Sequence, residues 1–168
     1  MPISFEDYVD FVEKTSDYEP EHRVVSGRHG VISELGELLG LYDERRVKRK
    51  GMPSREAVLS ELGDVLWYEV WRLGLDAPVS MDWRSAPTGV TSTWADYVFR
   101  GAVVETIGQV VVQPCVGGQS VSVLLRCFGF TIEQIAEANV SKLTARREAG
   151  TLHDREARAV AAVEGGDR

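Results

Sequence analysis

Apolar residues recur along this chain at three- and four-residue spacings far more often than in alternation, and glycine, proline and short polar residues fall between the periodic segments. The pattern predicts an all-α protein. A first helix is predicted over residues 5–14, where Phe5, Tyr8, Val9 and Val12 form one stripe, Ser4 can cap and Asp7 can reach back as the acid of a capping box. A second is predicted from about Val24 to Arg46, stopping before Gly51-Met52-Pro53. A third starts behind the cap Ser54 and runs to about Leu73, with Gly74 as its C-cap.

The stretch from Asp76 to Thr93 carries two prolines, Gly89 and several Ser/Thr residues, and reads as a long loop or excursion of the kind that serves function or moves. Two helices are predicted after it, at about 93–112 and 120–127, although the valine-rich run from Ile107 to Val116 also fits a strand. Thr131 caps a last helix, Ile132 to about Arg147, which Gly150 ends. The expected architecture is therefore an antiparallel helical bundle in a single domain over 1–150, with a long insertion between the third helix and the C-terminal helices. Residues 151–168 form a helix-compatible extension whose Gly-Gly-Asp-Arg end is expected to fray.

Composition narrows the classes. The 168 residues are 43% hydrophobic and 27% charged, enough to bury a core, and the net charge of −7 disfavours general binding to nucleic acid or an anionic membrane surface. No apolar run approaches the roughly 20 residues of a membrane span, and Met-Pro-Ile-Ser-Phe-Glu-Asp lacks the basic and apolar regions of a signal peptide, so a cytoplasmic protein is expected. The two cysteines, Cys115 and Cys127, lack the spacing of a zinc site or a disulfide framework and are read as reduced thiols.

The chemistry concentrates in one internal similarity. Ser33-Glu34-Leu35-Gly36-Glu37 and Ser60-Glu61-Leu62-Gly63-Asp64 each place two carboxylates three residues apart on one helical face. Glu34 falls angularly between Leu38 and Leu41, and Glu61 beside Val65 and Tyr68, so these acids interrupt apolar stripes instead of decorating polar ones. Burying a carboxylate without a partner costs on the order of several kcal/mol, and a divalent cation removes that cost. Oxygen ligands select hard ions, Mg2+ or Mn2+. A single Glu-x-x-Glu is common on solvated helices; two copies on consecutive helices are less so. Gly36 and Gly63 cost roughly 1 kcal/mol each relative to alanine inside a helix, and a close helix crossing is a reason to keep them.

Glu34-x-x-Glu37 followed by Glu61-x-x-Asp64 within Glu-Leu-Gly-Asp-Val-Leu-Trp-Tyr resembles the MazG-like branch of the all-α nucleoside triphosphate pyrophosphatases. His29-Gly30 and the segment Glu137-Ala-Asn139-Val-Ser-Lys142-Leu-Thr-Ala-Arg146 resemble that family's flanking and C-terminal motifs, whereas residues 76–128 have no assigned counterpart. The resemblance implies Mg2+-dependent hydrolysis of a (d)NTP to (d)NMP and pyrophosphate in nucleotide-pool control or sanitising, with Mn2+ a possible substitute. It implies that Glu34, Glu37, Glu61 and Asp64 hold the metal and that Glu34 or Glu37 doubles as general base. Phosphate contacts are implied for Lys142 and Arg146, and a sugar, base or phosphate contact for Asn139. Tyr68, one turn beyond Asp64, either meets the sugar or base or is a core aromatic. Family resemblance also implies a homodimer or homotetramer, in keeping with the excess of large apolar residues on the third helix, unless the middle segment completes the bundle within one chain.

Other features carry less. The five positive charges of Arg45-Arg46-Val-Lys48-Arg49-Lys50 fit a solvated run after a helix C-terminus, which also suits the helix dipole, better than a triphosphate site. His29 fits a capping or surface role, and Trp67, Trp71, Trp83 and Trp94 fit core or interface positions. A carboxylate-bridged di-iron bundle would need Glu-x-x-His on two helices; the one instance, Glu19 to His22, contains Pro20. The alternative function is a non-catalytic helical module that senses a nucleotide or assembles with a partner.

Overall fold

A computed structural model describes residues 2–85, 97–112 and 117–151, and among them every regular element is helical. Among the described residues seven α-helices follow one another: α1 (Phe5–Thr15), α2 (Arg23–Leu41), α3 (Glu44–Lys50), α4 (Arg55–Leu73), α5 (Tyr97–Val112), α6 (Gly117–Arg126) and α7 (Ile132–Glu148). Short 3-10 turns occupy Pro20–His22, Gly74–Asp76 and Pro78–Asp82.

The helix boundaries follow from local chemistry. Ser4, Ser54 and Thr131 each accept the backbone N–H three residues on, which satisfies one of the donors that a helix start leaves open. At α7 the box is complete, because the Gln134 side chain accepts from the Thr131 N–H. At α1 it is not: the Asp7 carboxylate takes the Ser4 hydroxyl at 2.8 Å. Gly74 ends α4 with φ 58°, a conformation that costs glycine little. The single helix predicted to Arg46 breaks at Tyr42, so the basic run expected after its C-terminus lies instead on the separate short helix α3. The strand considered for Ile107–Val116 is helical as far as Val112; residues 113–116, Trp94 and the C-terminal extension lie outside the described residues.

Helix α4 is the axis of the bundle. It is apolar almost all round, and a helix of that kind has to be covered on every side. Its most extensive pairing is with α2, and α7, α1 and α6 cover the rest. Val31, Leu35 and Leu38 of α2, Leu62, Val65, Leu66 and Val70 of α4, Tyr8 and Val12 of α1, and Ile132 and Ile135 of α7 are fully buried. Each such aliphatic side chain contributes about 1.5–3 kcal/mol by leaving water.

The middle segment is part of this bundle. Helix α5 packs on α2 and on α6, and α6 packs on the Pro78–Asp82 turn. Trp83 anchors the start of the excursion: its indole donates to the Ile3 carbonyl at 3.1 Å, its ring meets Phe5 edge-on, and its own carbonyl accepts from the Glu133 N–H at 3.1 Å. The apolar faces of α4, which suggested a need for a second chain, are thus covered within one. No helix among the described residues is long and apolar enough to cross a membrane.

Candidate metal centre

Helices α2 and α4 run antiparallel and very close. Gly30 lies against the ring of Tyr68, where an added Cβ would sit 2.1 Å from Cδ1, and Gly27 lies against Arg72, where a Cβ would sit 2.4 Å from the arginine Cβ. These two glycines, not Gly36, make the crossing: Gly36 is exposed and a Cβ there would meet nothing within 4 Å. Gly63 does serve a close approach, but to α7, since a Cβ there would lie 3.0 Å from that of Asn139.

That approach of three helices gathers the acids. Glu34 from α2 and Glu61 and Asp64 from α4 each present a carboxylate oxygen within 4.8 Å of the others. Glu34 is 2% exposed and Asp64 9%, and Glu61 is half-buried. Oε2 of Glu34 and Oε2 of Glu61 are buried and accept no hydrogen bond, although both residues keep other contacts. Were all three ionised, each pair would repel by about 3–4 kcal/mol at an effective dielectric near 20, a repulsion that the Lys142 ammonium beside Asp64 offsets in part. The fourth predicted ligand is elsewhere: Glu37 is exposed, one turn beyond Glu34, and is not in the group.

Helix α7 supplies two donors to one oxygen. The Lys142 ammonium lies 2.7 Å from Asp64 Oδ1 and also donates to the carbonyl and hydroxyl of Ser60, at 3.1 and 3.2 Å. Asn139 Nδ2 donates to the same Oδ1 at 3.3 Å. Asn139 is 1% exposed, and its Oδ1 accepts the hydroxyl of Tyr8 at 3.0 Å. Burial, and behind it the nearby Asp64 charge, pushes the Tyr8 phenol well above its ordinary pKa, so Tyr8 stays a neutral donor.

The other predicted contacts divide. Tyr68 is 9% exposed, packs edge-on against Trp67 and hydrogen-bonds the Tyr18 hydroxyl at 3.2 Å, an aromatic wedged into the α2–α4 seam. Arg146 is half-buried one turn beyond Lys142, and its carbonyl accepts from Thr151. His29 is exposed, while Trp67, Trp71 and Trp83 are core residues.

Sequence reasoning missed Tyr8, Ser60 and the crossing glycines. Tyr8 reads as one more member of an apolar stripe, since periodicity does not show where a hydroxyl ends. The spacing Gly27-x-x-Gly30 on one helical face was the available signal for the crossing. Comparison with protein-family models, with curated proteins and with solved structures gave no match. The site therefore stands on its own geometry.

Further along α4 lies a second buried acid. Glu69 and Arg72, both fully buried, form a two-pronged ion pair at 2.8 and 3.1 Å. Burial raises the Glu69 pKa, and the arginine charge and hydrogen bonds act in the opposite direction.

Proposed function

We propose that this chain is a Mg2+-dependent nucleoside triphosphate pyrophosphohydrolase that converts a (d)NTP to (d)NMP and pyrophosphate. The observation that carries the reading is the convergence of Glu34, Glu61 and Asp64 from two helices onto one buried spot. An all-oxygen donor set of this kind suits a hard cation that keeps several waters and takes substrate phosphate oxygens as further ligands. A bound Mg2+ would offset charge on the phosphate oxygens and lower the pKa of the attacking water.

The chain's own groups have definite parts in that scheme. Glu34, or Glu37 at the exposed edge, takes the proton of the attacking water as general base. Water adds at the α-phosphorus while the bond to the bridging oxygen breaks, and pyrophosphate leaves. By the family resemblance Lys142 and, one turn later on α7, Arg146 would meet the charge of the triphosphate, Lys142 by exchanging its contacts with Asp64 and Ser60 for phosphate oxygens. The direct pairing of Lys142 with Asp64 favours a second reading, in which the acids and α7 form a nucleotide-sensing module without turnover.

Incubating the protein with a panel of triphosphates, with and without Mg2+, decides between them. The first reading predicts metal-dependent release of pyrophosphate from at least one. Release of orthophosphate alone, or nucleotide binding with no release, contradicts it.

A further inference from the structure

We propose that Tyr8, on a helix that contributes no ligand, is a positioning residue for the metal centre. Its hydroxyl donates to Asn139 Oδ1 at 3.0 Å, and the opposite face of the same amide donates to Asp64 Oδ1 at 3.3 Å. An amide has one acceptor and one donor end, so a buried donor on one side fixes which end faces the other side. With Tyr8 in place, Asn139 presents N–H to the carboxylate. Without it Asn139 Oδ1 loses its buried donor, and the amide is held at the carboxylate by the 3.3 Å bond to Asp64 alone.

Three further observations give the link its force. Tyr8 is fully buried and Asn139 is 1% exposed, so water does not substitute for either partner. The approach is built in at Gly63, where an added Cβ would press on Asn139 at 3.0 Å from its Cβ and 3.1 Å from its Nδ2. Asp64 Oδ1 also takes Lys142 at 2.7 Å, so that two donors from one helix hold the rotation of a carboxylate whose neighbours are Glu34 and Glu61. Groups that orient a ligand through its outer hydrogen bonds commonly alter metal affinity by about 10- to 100-fold when removed. Tyr8 acts one bond further out, at the lower end of that range.

This inference rests on the reading of Glu34, Glu61 and Asp64 as a cation site, and the test separates the two. Mn2+ binding to the full chain is titrated calorimetrically for wild type, Tyr8→Phe and Val12→Ala, alongside thermal unfolding without metal. Val12 is equally buried on the same helix but has no side-chain hydrogen-bonding group to offer the amide, and its truncation lowers the melting temperature as a core change does. The expected result is Mn2+ binding about 10-fold weaker in Tyr8→Phe and unchanged in Val12→Ala. Wild-type affinity in Tyr8→Phe, or equal weakening in both variants, overturns the positioning role while leaving the cation site standing. Failure of the wild type to bind Mn2+ overturns both. If Tyr8→Phe does not fold, Asn139→Ala takes its place, and unchanged affinity there overturns the proposal equally.

Discussion

The two halves of α4 bury acid groups in opposite ways. Toward its C-terminal end, Glu69 meets Arg72 one turn away on the same helix, and the pair closes on itself with both carboxylate oxygens engaged. Toward its N-terminal end, Glu61 and Asp64 are joined by Glu34 from α2, and a lysine and an asparagine arrive from α7. A pair within one turn needs only burial to form. The N-terminal gathering draws three acids from two helices and a lysine and an asparagine from a third, so it depends on how α2, α4 and α7 pack together, and it is the proposed cation site. The C-terminal half is read as scaffold and the N-terminal half as chemistry.

The largest effect is expected at the scaffold end. Arg72→Met leaves Glu69 buried without its base and should cost about 3–5 kcal/mol in chemical unfolding at neutral pH. The sign of its pH dependence follows from the shift. Burial already raises the Glu69 pKa, and loss of the arginine raises it further. An acid whose folded pKa lies above its unfolded one favours the fold below the unfolded value and loses that advantage as pH rises through the folded value. The deficit of Arg72→Met should therefore shrink below the ordinary carboxylate range and grow toward neutrality. A deficit independent of pH would show that the loss is one of packing.

At the chemical end the effects should fall on turnover instead. Glu61→Gln or Asp64→Asn is expected to reduce metal-dependent pyrophosphate release by at least about 100-fold, more than loss of an outer-shell group causes, with helicity retained; Asp64→Asn also lowers metal-free stability, because Lys142 loses its charged partner. Glu37→Gln, on the exposed turn outside the cluster, should cost far less, an outcome that would assign the general base to Glu34. Equal losses at Glu37 and Glu61 would make the exposed acid a full participant and blur the contrast between buried and open positions.

The glycines give the next effect in size. Gly30→Ala drives a methyl into the Tyr68 ring and should destabilise by about 1–3 kcal/mol, whereas Gly36→Ala, with open space around it, should stabilise α2 by about 0.5–1 kcal/mol. Urea midpoints of the two variants, moving in opposite directions, would confirm which glycine sets the helix crossing.

Much of this was legible in the order of residues. The caps at Ser4, Ser54 and Thr131, the stop at Gly74 and the burial of Glu34 and Asp64 follow from short-range rules and helical periodicity, because each depends on neighbours within one or two turns. What was not legible depends on contacts between distant segments. Gly36 and Glu37 occupy the same motif positions as Gly63 and Asp64, yet α2 turns them to solvent, since a repeat fixes spacing along a helix and not which arc a partner helix covers. The break at Tyr42 went unseen although Gly40 and Asp43, the latter a residue suited to cap the helix that starts at Glu44, flank it, because the helical spacing of apolar residues runs on through Leu41. The role of Tyr8 depends on a residue 131 positions away, a separation over which no local pattern reaches.

Three carboxylates serving as one cation site are the core of the proposed chemistry, and a calorimetric titration of Mg2+ and Mn2+ into the purified chain without nucleotide tests that most directly. Saturable binding that disappears in each of Glu34→Gln, Glu61→Gln and Asp64→Asn, and persists in Arg72→Met under conditions where that variant is folded, is the predicted result. Absence of saturable binding, or binding that survives all three substitutions, would contradict it.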